Sequence, residues 1–152
     1  MSRSVILSVS AAIGLVALHA LLLYLMGQPL MYSGGFVELW CGVVKSDCNS
    51  QQVTDWYTLS HIIHGLLFYA GLSLLFPKLS VFSRLLLALA MESSWELFEN
   101  TDMIINRYRE QALAQGYFGD SVVNSTGDML AALGGFLIAW RMESTQGFHA
   151  VM

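Results

Sequence analysis

Apolar residues along this chain fall into long uninterrupted runs, too long for the alternation of a surface helix or strand. Residues 5–26 carry no charge and end at Gly27-Gln28-Pro29, a helix-stopping sequence. Residues 59–76 form a second run, closed by Pro77 and Lys78. A third, residues 83–100, is apolar over its first half and carries Glu92, Glu96 and Glu99 in its second. The fourth, from about 120 to 140, is polar at its start and apolar from Met129 onward. A hydrocarbon core of about 30 Å takes roughly 20 helical residues to cross. The pattern therefore predicts an all-α integral membrane protein, a single domain over residues 1–152, with four transmembrane helices in a bundle. Residues 27–58 read as a polar outer loop whose Trp40, Trp56 and Tyr57 suit an interfacial aromatic belt. Residues 101–118 mix Met103, Ile104 and Ile105 with Arg107, Tyr108 and Arg109, and predict a short amphipathic segment at the surface.

Composition agrees. The chain has 152 residues, 55% hydrophobic and 12% charged, with mean hydropathy +0.57. Soluble domains carry about twice that charged share. Net charge is −4, and the 7 basic residues are scattered singly, which excludes a nucleic-acid footprint. The first run is longer than a signal peptide's apolar region and lacks an A-x-A cleavage site after it, so it reads as a retained membrane helix. Four spans put both termini on one side, with Arg3, Lys78, Arg84 and Arg141 there and Lys45, Arg107 and Arg109 opposite. The positive-inside rule then places both termini in the cytoplasm. Cys41 and Cys48 lie in the outer loop, where a disulfide and two free thiols are both open readings. A metal-binding pair is disfavoured by the absence of CxxC spacing.

Three of the four runs deliver polar residues to the same membrane face. Glu92, Glu96 and Glu99, at i, i+4 and i+7, share one helical face. His61 and His64 occupy the first two turns of the second run, and Asp120, Asn124 and Asp128 stand at i, i+4 and i+8 in the fourth. At about 1.5 Å per residue, His64, Glu92 and Asp128 form a deep layer, with His61, Glu96 and Asn124 above it. Glu99 and Asp120 ring the mouth, where they also read as ordinary interfacial residues, Asp120 as an N-cap. His19, near the deep layer, reads as a polar contact between helices rather than as a ligand. The Met129–Gly135 stretch reads as a close-packing helix face.

An ionisable residue within a membrane segment is a functional-site hypothesis by default. His61, His64, Glu92, Glu96 and Asp128 form a ligand set suited to divalent zinc, manganese or iron. Glu92, Glu96 and Asp128 are the catalytic candidates, one of them as general base to an activated water. Asn124 or Ser121 would orient the ligands, and Arg107, Arg109 and Asn124 are substrate-binding candidates, the arginines gripping a phosphate or carboxylate. The reaction expected is hydrolysis or transfer on a lipid-linked or envelope substrate. A metal-free variant pairs Glu92 with Asp128 as acid and base. Two readings from other classes stand beside it. One is a proton or metal-ion relay, against which the absence of acids and histidines from the inner halves of the later runs counts. The other is an accessory subunit docking on a membrane-protein partner, or on its own copies, through Ala131, Gly134 and Gly135.

Three ordered strings carry a family resemblance: Asp55-Trp-Tyr-Thr-x-Ser60-His61-x-x-His64-Gly65, Glu92-x-x-Trp95-Glu96-x-x-Glu99-Asn100-Thr101, and Gly119-Asp120-Ser-x-x-Asn124-Ser-x-Gly127-Asp128. The chain from Trp40 to Arg141 resembles uncharacterised protein family 0314, also called domain of unknown function 2585, of proteobacterial inner-membrane proteins. The WExxEN and GD…D strings are more distantly similar to VanZ-like membrane proteins. The resemblance implies a multi-pass protein of the bacterial inner membrane and supplies no activity. One departure is that the family's cysteine pair is expected just before the Leu-Trp step, at Tyr32–Gly35, whereas the cysteines here stand at 41 and 48.

Overall fold

The structure is a computed structural model and describes residues 3–110 and 117–149. Its order is α1 (Arg3–Leu25), α2 (Thr58–Leu75), α3 (Val81–Glu99), α4 (Asp102–Arg109) and α5 (Val122–His149). Among the described residues there is no strand, only an isolated bridge between Cys41 and Asp55. The all-helical expectation holds.

Three helices are long and apolar enough to cross a membrane: Val5–Leu25, Thr58–Leu75 and Val122–Thr145. Four such spans were expected. The difference lies in α3, which has 19 residues but carries Arg84, Glu92, Glu96 and Glu99. Its charges are turned inward, since Glu92 and Glu96 are buried. α5 also differs from the expected 120–140. It starts two residues later and runs on to His149, because the polar segment after Trp140 contains no helix breaker before Gly147. Apolar runs mark what a membrane would cover, not where a helix stops.

α3 and α5 are the central pair; α1 and α2 each pack against both and do not touch each other. The tightest seam joins α2 to α5. A Cβ on Gly65 would stand 1.9 Å from the Ala132 carbonyl oxygen, and one on Gly135 would stand 2.1 Å from that of Ile62. Glycine at both positions lets the two backbones meet, the device that membrane helices use in place of a hydrophobic drive. The close-packing reading of this face is thus met inside the chain. Below the seam Tyr69, Leu72, Ala88 and Phe136 form the apolar core. Leu7, Ile13 and Leu25 on the outside of α1 are each more than half exposed, as a lipid-facing surface requires.

The loop between α1 and α2 folds onto the start of α5. The Ser50, Pro29 and Leu30 carbonyls accept the Ser121, Val122 and Val123 N–H groups at 2.8, 2.9 and 3.1 Å. These are donors that a helix start leaves without intrahelical partners. Ser121 Oγ accepts the next one, from Asn124 at 3.1 Å, so Ser121 and not Asp120 is the capping side chain. Cys41 and Cys48 are joined by a disulfide, which decides between the two open readings. Buried Asp55 then fixes the loop's exit, accepting the N–H groups of Ser50 and Tyr57, each at 2.8 Å. α4 confirms the amphipathic segment in part, with Ile104 and Ile105 buried; residues 111–116 of that expectation lie outside the described residues.

Candidate functional site

The loop, α2, α3, α4 and the approach to α5 enclose a cavity of about 340 Å³. Its floor holds His61, Glu96 and Asp128, its flank His64 and Trp95, and its rim Glu99, Tyr108, Tyr117 and Asp120. Val44, Ser46, Asn49 and Ser50, within or just after the disulfide-closed loop, form the remaining wall.

His61 is the hub. Its Nδ1 lies 2.5 Å from Glu92 Oε1 and 3.2 Å from Glu96 Oε1, and its Nε2 lies 3.7 Å from Asp128 Oδ2. His64 Nδ1 meets the same Glu92 carboxylate at 3.2 and 3.3 Å. The expected two layers therefore merge, because His61 reaches down to Glu92 and Asp128 as well as across to Glu96. Two groups could hold a metal ion: His61, His64 and Glu92, and His61, Glu96 and Asp128. In each, one ligand atom per residue lies within 4.8 Å of the others.

The second group fits a cation better. His61 Nδ1–H donates to Glu92, which leaves Nε2 with its lone pair on the Asp128 side. A carboxylate fixing one ring nitrogen while the other serves a cation is the usual arrangement at metal centres. Glu96 Oε1 and Asp128 Oδ1 are both buried without a hydrogen-bond partner. Such atoms are costly unless something charged or donating meets them.

At the rim, Asn100 Nδ2–H donates to Asp120 Oδ2 at 2.6 Å, and the Asp120 N–H donates to Asn100 Oδ1 at 2.7 Å. The Tyr117 hydroxyl donates to Asp120 at 3.0 Å, and that of Tyr108 to Glu99 at 2.7 Å. Burial raises the Asp120 carboxyl to about 6, against the hydrogen bonds from Asn100 and Tyr117 that hold it down. Burial and the neighbouring Asp120 charge push the Tyr117 phenol far above its usual range. Burial, with Glu99 alongside, lifts Tyr108 to about 12.

Other candidates fall elsewhere. Asn124 is not part of the lining; its amide donates to the Gln52 carbonyl at 2.9 Å and ties the loop to α5. Arg107 and Arg109 are exposed on α4 and do not line the cavity, and Arg109 donates to the Tyr117 carbonyl at 2.5 Å. His19 makes the expected contact between helices, to Ser93 of α3 and Ser125 of α5. Ser93, Ser125, Trp95 and Tyr117 were not among the expected site residues. The two serines had a signal: Leu89, Glu92, Ser93 and Glu96 follow the i, i+3, i+4, i+7 spacing of one helix face, as do Ser121, Asn124, Ser125 and Asp128.

Comparison with known proteins agrees with the motif strings. The UPF0314 protein of Sinorhizobium fredii is 50% identical over 92% of this chain and 71% of its own length. The UPF0314 protein of Sphingopyxis alaskensis is 49% identical over 87% of this chain and 70% of its own. No solved structure matches. The likeness to VanZ-like proteins rests on the motif strings alone. Residues 23–151 match the family described as "Protein of unknown function (DUF2585)", and the chain belongs to that family.

Proposed function

We propose that this protein is a metal-dependent membrane enzyme, a hydrolase or transferase, whose cavity opens toward the outer leaflet of the bacterial inner membrane. The observation that carries the reading is that Glu96 and Asp128, whose carboxylates meet opposite nitrogens of the His61 ring, each keep a buried oxygen without a hydrogen-bond partner, Glu96 Oε1 and Asp128 Oδ1. His61, Glu96 and Asp128 hold the cation, Glu92 fixes the His61 ring, and His64 rests on Glu92 from the cavity side. A divalent ion held there would supply a Lewis acid and lower the pKa of coordinated water. Zinc, manganese and iron all suit mixed imidazole and carboxylate donors.

α3 crosses the bilayer with the other three helices in this reading. Its buried carboxylates face α2 and α5, so its lipid-facing side stays apolar. The disulfide supports an oxidising, periplasmic side for the loop and the cavity, with both termini cytoplasmic. Among the described residues, the lining includes neither Lys nor Arg. The cavity therefore favours a neutral or cationic polar group of a lipid-linked or envelope substrate. Arg107 and Arg109 are left on the surface, where lipid phosphates can meet them.

The test is metal content by inductively coupled plasma analysis, on the protein as purified and after supplementation with zinc, manganese or iron. One divalent ion per chain, lost in Glu96→Gln and Asp128→Asn, is expected. Absence of metal before and after supplementation overturns the reading.

A further inference from the structure

The buried end of the Glu96 carboxylate is served by a chain of side chains that the cavity does not contain. His19 and Ser125 are fully buried and Glu96 is 1% exposed. Ser125 Oγ donates to Glu96 Oε2 at 2.6 Å. His19 Nε2 lies 2.8 Å from Ser125 Oγ, and His19 Nδ1 lies 3.1 Å from Ser93 Oγ. The chain thus crosses three helices, from Ser93 on α3 through His19 on α1 to Ser125 on α5, and returns to α3 at Glu96.

Counting protons fixes its direction. A ligating carboxylate has no proton to give, so the single hydroxyl proton of Ser125 goes to Glu96 Oε2. Ser125 Oγ can then only accept from His19, which places the imidazole proton on Nε2. The Nδ1 of that neutral ring has only a lone pair, and the Ser93 hydroxyl donates to it. Every proton has one place, and all of them point toward Glu96.

We infer that His19 and Ser125 are positioning residues for Glu96. They anchor Oε2 through a one-way hydrogen-bond chain, so that Oε1 stays aimed at the His61–Asp128 side of the cavity. This rests on the metal-centre reading of that side. Hydrogen bonds to a ligating carboxylate orient it, and their loss lowers metal affinity by about 10- to 100-fold. α1, which has no contact with α2 and no residue in the cavity lining, thereby acts on the site.

Two measurements on the full chain test the inference. The first is nitrogen-15 NMR of histidine-labelled protein loaded with Zn²⁺, which reads the His19 tautomer without a variant at the site. Protonated Nε2 and bare Nδ1 are expected; a proton on Nδ1 reverses the chain and overturns the inference. The second is Zn²⁺ affinity in Ser125→Ala, His19→Leu and His19→Gln. A 10- to 100-fold loss is expected in the first two. Most of it should return in His19→Gln, whose amide offers both a donor and an acceptor. Wild-type affinity in Ser125→Ala and His19→Leu overturns the positioning role even if the tautomer is as expected. A wild-type protein that takes up no metal overturns the metal-centre reading and with it the direction of the chain, an outcome distinct from metal uptake with the proton on His19 Nδ1.

Discussion

Asn100 and Asp120 exchange two hydrogen bonds, at 2.6 and 2.7 Å, and so tie the end of α3 to the approach of α5. Asn100→Ala removes one partner of the buried Asp120 carboxylate, leaving the Tyr117 hydroxyl, and takes the acceptor from the Asp120 N–H. A loss of about 2–3 kcal/mol is expected, read by denaturant titration in detergent micelles. A loss under about 0.5 kcal/mol would show that the pair does not join the two helices.

Asp120 should make stability depend on pH in a definite sense. Its carboxyl is raised from 3.8 to about 6, so the folded state favours the protonated form. That contribution is fully present below the ordinary value of 3.8 and is lost as pH rises through about 6. Asp120→Asn cannot ionise. Its stability relative to wild type should therefore rise from pH 4 to pH 7, and a flat difference across that range contradicts the assignment.

His61 and His64 should differ sharply. Removing His61 strips Glu92, Glu96 and Asp128 of their common partner, and breaking a buried pair of this kind costs about 3–5 kcal/mol. Among the described carboxylates His64, whose side chain is 29% exposed, meets Glu92 alone. His64→Ala should cost about 1 kcal/mol. Thermal unfolding of the two variants side by side measures the contrast.

The α2–α5 seam leaves no room for a methyl group at residue 65. Gly65→Ala should cost about 2–3 kcal/mol, as overpacked cores do, while Gly71→Ala, with nothing within 4 Å, should be neutral or stabilising. Equal behaviour of the two variants would mean that the helices stand further apart.

Reducing the Cys41–Cys48 disulfide opens a loop of about eight residues, worth about 2.5 kcal/mol by loop-closure entropy. The same loop carries Val44 and Ser46 to the cavity wall. Reduction should therefore loosen the wall beside His64 and free Trp56, whose Nε1 donates to the Gly42 carbonyl inside the loop, seen as a change in Trp fluorescence that Cys41→Ser/Cys48→Ser reproduces.

Helix positions were legible because apolar runs and Gly or Pro stops carry them, and the convergence of His61, Glu92, Glu96 and Asp128 follows from helix spacing and alternating direction. Three things were not legible. The pairing within the site depends on side-chain reach, so His61 joined the two expected layers. The Arg107 and Arg109 side chains lie outside the cavity because α4 buries Ile104 and Ile105 and leaves the arginines exposed. Ser121 replaced Asp120 as the cap because Asp120 is committed to Asn100 and Tyr117, a tertiary pairing that no local pattern encodes.

The capping of α5 by the carbonyls of Pro29, Leu30 and Ser50 also sets an order of assembly. α5 leaves the ribosome after α1, α2, α3 and α4, and the segment that completes its first turn leaves before α2. Until α5 is made, the loop between α1 and α2 lacks that partner, and His61, Glu92 and Glu96 stand without Asp128 or Ser125. Arrival of α5 closes the loop, the cavity and the hydrogen-bond chain together, so that a nascent chain stalled before Val122 holds the His61, His64 and Glu92 group without the Asp128 side of the site.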